Sequence, residues 1–289
     1  MELNLDSFTE RTEPLGILGL VVTQNGEETA KRLWDKEIRR NVYSIAKSFT
    51  ACAVGLAQNE GLLSVDEKLC EAFAEELPCK VSENLAAATI ADALSMRMGQ
   101  GNNFLTGDKR PLYEEDNWVR LTLAQPFDYP PKTKFVYNNA GPYLAGVLVQ
   151  RRAGMSLTEY LTPRLFKPLG IKNPLWETDP LGYNFGSSGL MLTLSEYHRL
   201  GLLFLGGGEW QGAQLLPREW VRECTRDLSG NGYGCGFWCG KHGSFYADGK
   251  YQQLSVVFPD KNAVVSTSAE CRRSGAILKA IYEEIYPQI

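Results

Sequence analysis

The sequence predicts an α/β fold of the α+β type: one antiparallel sheet built from both chain termini, flanked by helices, with a mostly helical domain inserted in it. Two observations carry this reading. β-Branched and alternating runs gather near both ends of the 289-residue chain. Between them, apolar residues recur at helical spacing, broken by Pro and Gly clusters. The division that follows is a sheet domain from residues 1–64 and 183–289 and a helical insertion over residues 65–182. A hydrophobic share of 44% supplies enough apolar side chains for the core of such a molecule.

Each element has its own signal. Residues 15–23 form an apolar, β-branched run that ends in Asn25-Gly26. Asn-Gly between two such runs marks a hairpin, so residues 28–34 return as a second strand. From residue 44 to 60 the apolar side chains Ile45, Phe49, Cys52, Ala53, Leu56 and Ala57 repeat with helical period, and Gly61 ends the segment. Ser64-Val-Asp-Glu67 opens another short element in capping-box style. Helical patterns follow over residues 85–98, 139–153 and 156–165, and again from Ser195 through Leu203 to a Gly206-Gly-Gly208 turn. The last third changes to strands over residues 232–239, 244–251, 253–258 and 263–268, with a turn at Pro259-Asp-Lys-Asn262. An amphipathic helix over residues 271–286 closes the pattern.

Composition narrows the function classes. A net charge of −4 and the lack of any Lys/Arg-rich stripe give no reason to expect a nucleic-acid partner. No apolar run reaches membrane-spanning length, so no membrane partner is expected. The opening segment, Met1 to Glu10, lacks a basic region followed by an apolar stretch and does not read as a secretory signal. Seven scattered cysteines, an odd number, suit free thiols in a reducing compartment. Together these point to a cytoplasmic setting. Cys235 and Cys239 with His242 nearby invite a metal reading, but no second ligand pair has the needed spacing. Neither metal nor cofactor is expected, and the two cysteines read as neighbours on one face of a strand. Of the two histidines, His198 reads as a helix-surface residue and His242 as part of a solvated hairpin turn.

The chemistry is concentrated at Asn41-Val-Tyr-Ser44-Ile-Ala-Lys47. Positions i and i+3 of a helix share a face, so the Lys47 amine can reach the Ser44 hydroxyl. An ordinary lysine, with a pKa of about 10.4, is a poor base; burial or a neighbouring cation would let it accept a proton. Ser-x-x-Lys alone is also compatible with an exposed pair on an ordinary helix. Downstream, Tyr137-Asn138-Asn139 puts two polar side chains on one side of an extended stretch. Tyr137 can shuttle a proton, and the Asn139 amide can donate to both a substrate carbonyl and the lysine region. By themselves these two also fit a half-buried core tyrosine and a helix N-cap.

The two motifs, about ninety residues apart and followed by a β-rich C-terminal third, resemble the serine β-lactamase and penicillin-binding-protein superfamily. The sequence is most similar to its esterase, class C and 6-aminohexanoate-dimer hydrolase branch, where the second motif is Tyr-x-Asn. Residues 55–63, 66–69, 165–171, 189–193 and 207–212 also match that branch, so the likeness runs through nearly the whole chain. It implies a β-lactamase/transpeptidase-like fold, with Ser44 as a nucleophile that forms an acyl-enzyme. Lys47 and Tyr137 would move the serine proton, Tyr137 as a phenolate if its neighbours hold its pKa low, and Asn139 would orient Lys47 and substrate.

The third family motif, Lys-Thr-Gly, is missing. A gap-free match puts it at Ser244-Phe245-Tyr246, which makes the amide of Ala247 the expected second oxyanion donor beside that of Ser44. Lys241-His242-Gly243 has a related form but reads as a turn. The stretch Phe245-Tyr-Ala-Asp-Gly249 resembles the dimer-hydrolase strand. Asp248 and Gly249 would border the pocket, with Tyr246 and Trp238 lining its acyl side and residues 92–99 beginning the opposite wall. Asp248 would repel the carboxylate that β-lactams carry. The expected partner is a small ester or amide. A true β-lactamase or D-amino-acid peptidase, and a non-catalytic binding protein that keeps the fold, are the alternatives.

Overall fold

The computed structural model describes residues 3–289. Its strands are β1 (Ile17–Gln24), β2 (Glu27–Leu33), β3 (Arg40–Asn41), β4 (Leu175–Trp176), β5 (Leu190–Leu192), β6 (Glu209–Trp210), β7 (Ala213–Gln214), β8 (Trp238–Cys239), β9 (Phe245–Gly249), β10 (Gln253–Phe258) and β11 (Ala263–Ala269). The main sheet is six-stranded and antiparallel in the order β2-β1-β11-β10-β9-β8. It is the α+β arrangement read from the sequence. Ile17 lies opposite Ala269 and Gln24 opposite Ala263, so the two ends of the chain meet in the middle of the sheet. The β1–β2 hairpin turns through Asn25 and Gly26, both with positive φ (52° and 81°), as a type I′ turn requires.

Among the described residues eleven α-helices run between these strands: α1 (Asp6–Thr12), α2 (Ile45–Asn59), α3 (Leu69–Ala72), α4 (Glu83–Ala87), α5 (Ile90–Leu94), α6 (Trp118–Leu123), α7 (Ala140–Ala153), α8 (Leu157–Leu161), α9 (Leu194–Leu205), α10 (Arg218–Thr225) and α11 (Ala276–Ala280). None is long and apolar enough to cross a membrane among the described residues. The sheet separates two apolar cores. On one face Leu20, Val22, Val256 and Val265 pack with Phe8 of α1 and Ile277 of α11. On the other, Val21, Val257 and Val264 join a larger core with α2, α7 and α9. Each such side chain, fully buried, contributes about 1.5–3 kcal/mol.

Helix α2 positions the site. Every residue from Ile45 to Ala57 is buried, including its polar Lys47, Ser48 and Thr50. A helix apolar on all sides is a core helix rather than a surface one. Hydrogen bonds lock its orientation: Ser48 donates to the Gly236 carbonyl, Thr50 to that of Gly186, and the Trp220 indole to that of Ala51.

Several local expectations are corrected. Ser64 caps no helix; its hydroxyl accepts from Asp66 N–H within a turn, and α3 starts only at Leu69. The helical pattern over residues 85–98 is cut after Ala87, because Thr89 caps a new helix, α5, in a reciprocal pair with Asp92. The strand expected over residues 232–239 shortens to two residues, since positive φ at Gly232 and Gly236 breaks the extended run. Cys235 and Cys239 therefore do not share a strand face: Cys235 is buried with its N–H on the Cys224 carbonyl, and Cys239 Sγ donates to Thr225. The last helix begins at Ala276, not at residue 271. His198 is buried rather than at the surface. Helix α9 lies on β1, β10 and β11, and the imidazole sits between Thr23 (2.8 Å) and Ser266 (2.9 Å). His242 lies in the short turn joining β8 to β9 and stacks on Tyr286 at 4.2 Å.

Candidate active site

The chain enters α2 through a tight turn. The Asn41 side chain accepts hydrogen bonds from the Tyr43 and Gly189 N–H groups, and Tyr43 takes a positive φ of 49°. That turn leaves Ser44 at the N-cap, partly exposed, with its side chain making no capping bond. One turn further on, Lys47 is 1% exposed. Its Nζ has three oxygens around it: Ser44 Oγ at 3.0 Å, Asn139 Oδ1 at 2.8 Å and the Ser187 carbonyl at 2.9 Å. No carboxylate pairs with it among the described residues. Burial, aided by the positive charge of Arg110, lowers its pKa to about 7. As an ammonium it can donate to all three oxygens. As a neutral amine it keeps two N–H groups for Asn139 and Ser187 and aims its lone pair at the Ser44 hydroxyl. The same shell therefore fits both protonation states.

Asn139 occupies the N-cap position of α7 without capping it. Its neighbour Asn138 accepts from Gly141 N–H instead, which frees Asn139 to face Lys47. The Asn139 amide nitrogen donates to the Leu105 carbonyl at 3.1 Å. That bond uses one of the two amide N–H groups and fixes the oxygen toward Lys47, so Asn139 accepts from the lysine rather than donating to that region.

Tyr137 stacks on Trp238 (centroids 5.5 Å apart) and meets Tyr233 edge-on, and Lys47 Nζ lies 5.1 Å from its ring centroid. Burial pushes its phenol well above the ordinary tyrosine value; a hydrogen bond with Ser44 acts weakly the other way and Asp248 adds to the rise. A resting phenolate is thus disfavoured, and the low-pKa group of the pair is Lys47. The residues that pack this stretch include Met96, whose carbonyl accepts from Val136 N–H.

Ser44 and Tyr137 open onto a cavity of about 350 Å³, walled by Trp238, Asp248, Gly249, Lys250 and Tyr251, with the exposed Arg272 at its mouth. Ala247 does not reach it: the residue is fully buried and pairs with Ser255 on β10. The wall beside Ser44 comes two residues later. At Gly249 an added Cβ would lie 2.2 Å from the Val42 carbonyl, so glycine alone lets β9 approach the nucleophile turn this closely. Tyr246 also misses the cavity; it packs toward the second core beside Tyr282. Asp248 does line it, and burial pushes its carboxyl up to about 7.

Ser187 and Asn41 were not singled out in the sequence. Ser187 acts through its main-chain oxygen, which no side-chain motif can announce. The run Gly186-Ser-Ser-Gly189 was the available hint, since its glycines take positive φ and turn that carbonyl inward. Arg272 and Tyr251 come from loops that fold back over the end of the sheet.

The Beta-lactamase family model matches residues 8–271. A curated N-acetylmuramyl-L-alanine amidase of Bacillus subtilis (strain 168) is 27% identical over 157 residues, 50% of this chain, and the match spans only 35% of that protein's length. Among solved structures, a candidate 6-aminohexanoate-dimer hydrolase from Bacillus anthracis superposes with a TM-score of 0.83 at 19% identity, covering 100% of this chain and 85% of that one. The octameric penicillin-binding protein homologue from Pyrococcus abyssi gives 0.73 at 18% identity, covering 96% and 76%. A penicillin binding protein from Bacillus halodurans gives 0.74 at 17%, covering 96% and 99%. At these identities the structural likenesses establish the fold.

Proposed function

The chain belongs to the beta-lactamase family, and from that premise we propose a serine hydrolase that forms an acyl-enzyme on a small ester or amide. One observation carries the reading: a fully buried lysine amine, its pKa lowered to about 7, 3.0 Å from the hydroxyl of a serine that opens onto a cavity. Neutral Lys47 takes the Ser44 proton as Oγ attacks the substrate carbonyl. Asn139 and the Ser187 carbonyl hold the resulting ammonium. Tyr137, protonated at rest, donates to the leaving group, and the Lys47 ammonium, which carries the proton that Ser44 lost, then restores the phenol. The Ser44 N–H and the main chain at Gly249–Lys250 serve as oxyanion donors. The unpaired Asp248 in the cavity disfavours carboxylate-bearing substrates such as β-lactams, which supports an esterase or amidase within the family. Seven free cysteines support a reducing, cytoplasmic setting.

The test is labelling with a fluorophosphonate and turnover of p-nitrophenyl esters by wild type and Ser44→Ala. Labelling and turnover confined to the wild type are expected; equal behaviour of the two proteins overturns the reading.

A further inference from the structure

Asp248 sits in the cavity that holds the proposed nucleophile, yet it has no partner. Among the described residues it forms no ion pair and accepts no hydrogen bond, and burial alone accounts for its raised pKa of about 7. The two cations nearest in the cavity wall are turned to other tasks or to solvent. Lys250 Nζ lies over the Tyr251 ring at 5.0 Å, and Arg272 is exposed at the mouth. A half-buried carboxyl without donors is costly in its charged form and gains most from a ligand that brings both charge and N–H groups. The wall beside it is aromatic: Trp238, stacked on Tyr137, lines the same cavity. Aromatic faces next to a carboxylate suit an alkylammonium, whose methylenes pack on the rings while the cation meets both the carboxylate and the π face.

We propose that Asp248 anchors a cationic amine of the substrate, so that the site selects amine-bearing esters or amides over neutral and carboxylated ones. This rests on the cavity being the substrate site of the proposed hydrolase. It also gives the altered third motif a consequence: the strand that lacks Lys-Thr-Gly brings a carboxyl, Asp248, to the cavity wall.

The test separates the two claims. Binding of hexylammonium and of 1-hexanol to Ser44→Ala protein, followed by calorimetry, needs no turnover. The amine should bind about 10- to 100-fold more tightly than the alcohol, the range of one hydrogen bond to a charged group. In the Ser44→Ala/Asp248→Asn protein the ratio should fall to about one. If that double variant does not fold, inhibition of the wild-type esterase by the same pair, at low and high salt, gives the answer: the amine preference should be present and should shrink with salt. Equal binding of amine and alcohol, or a preference that survives Asp248→Asn, overturns the anchor while Ser44-dependent turnover still stands. Loss of Ser44-dependent turnover with the amine preference intact overturns the hydrolase and keeps the cation site.

Discussion

Replacing Lys47 by Met tests the centre of the mechanism. The two side chains have similar length, and methionine adapts to irregular buried space, so the fold should survive. What is lost is a base. With a pKa of about 7, about nine-tenths of Lys47 is neutral at pH of about 8, whereas an ordinary lysine would be less than about 1% neutral. Removing a positioned general base costs about 10²–10⁴-fold, so kcat/KM for a p-nitrophenyl ester should drop by about a thousandfold. In the wild type the rate should rise with pH and level off above about 7, because the active form is the deprotonated one. The Met variant should lack that limb. Stability supplies a second readout. The folded pKa lies below that of the unfolded chain, so between about 7 and 10.4 the unfolded state binds more protons and raising the pH stabilises the wild type. Relative to Lys47→Met, its unfolding free energy should climb by up to about 1.4 kcal/mol per pH unit in that window. The loss of N–H partners for Asn139 and Ser187 offsets this by a constant amount and leaves the slope unchanged. A folded Lys47→Met protein with more than about a tenth of wild-type activity would refute the assignment of Lys47 as base.

Asn139→Leu removes the acceptor and the bond to Leu105; kcat should fall about 10- to 100-fold with the acid limb displaced, read from pH–rate profiles. His198 is held below its ordinary value, at about 4, by burial first and by Arg199 and Lys31 next. Its stabilising contribution is therefore complete above about pH 6.5 and is lost as pH falls toward 4, by up to about 3 kcal/mol. Denaturant melts should show His198→Asn less acid-labile than wild type over that range. Gly249→Ala should destabilise by about 1–3 kcal/mol, because its Cβ meets main chain rather than a movable side chain. It should also lower kcat/KM by pushing β9 away from Ser44, which melts and ester assays together would detect.

The sequence made the frame legible wherever a local signal coincided with the tertiary outcome. Asn25-Gly26 encodes its own turn, and the helix after Ser44 follows from periodicity. The antiparallel C-terminal strands follow from alternation bounded by turn residues. Where tertiary packing decided, the sequence was silent. His198 is buried because α9 lies against three strands, and nothing in Glu196-Tyr-His198-Arg says which face points inward. Thr89 cuts a helical run because its cap competes with continuation, a balance that apolar spacing does not register. In the site, Ser44, Lys47, Tyr137 and Asn139 were readable as side-chain motifs. Their protonation was not: burial decides that Lys47 carries the low pKa and Tyr137 the high one. Gly249 was readable as a pocket border, but counting back along a strand put the residue beside Ser44 at Ala247, because only the close contact with Val42 fixes which residue faces the nucleophile.

The meeting of β1 with β11 has a consequence for how the molecule comes into being. Ile17 finds Ala269 only after the chain between them has been synthesised, and closing so long a loop carries an entropic cost that no local contact repays. While the chain emerges, β1 and β2 form a hairpin with one unpaired edge, rich in Leu20, Val21 and Val22, exposed to whatever strand it meets first. Ser44 and Lys47 emerge early as well, but Gly249 and Asp248 reach them only when β9 to β11 dock. The nascent protein therefore holds its nucleophile without a pocket, and hydrolytic competence should appear in a single late step rather than by degrees.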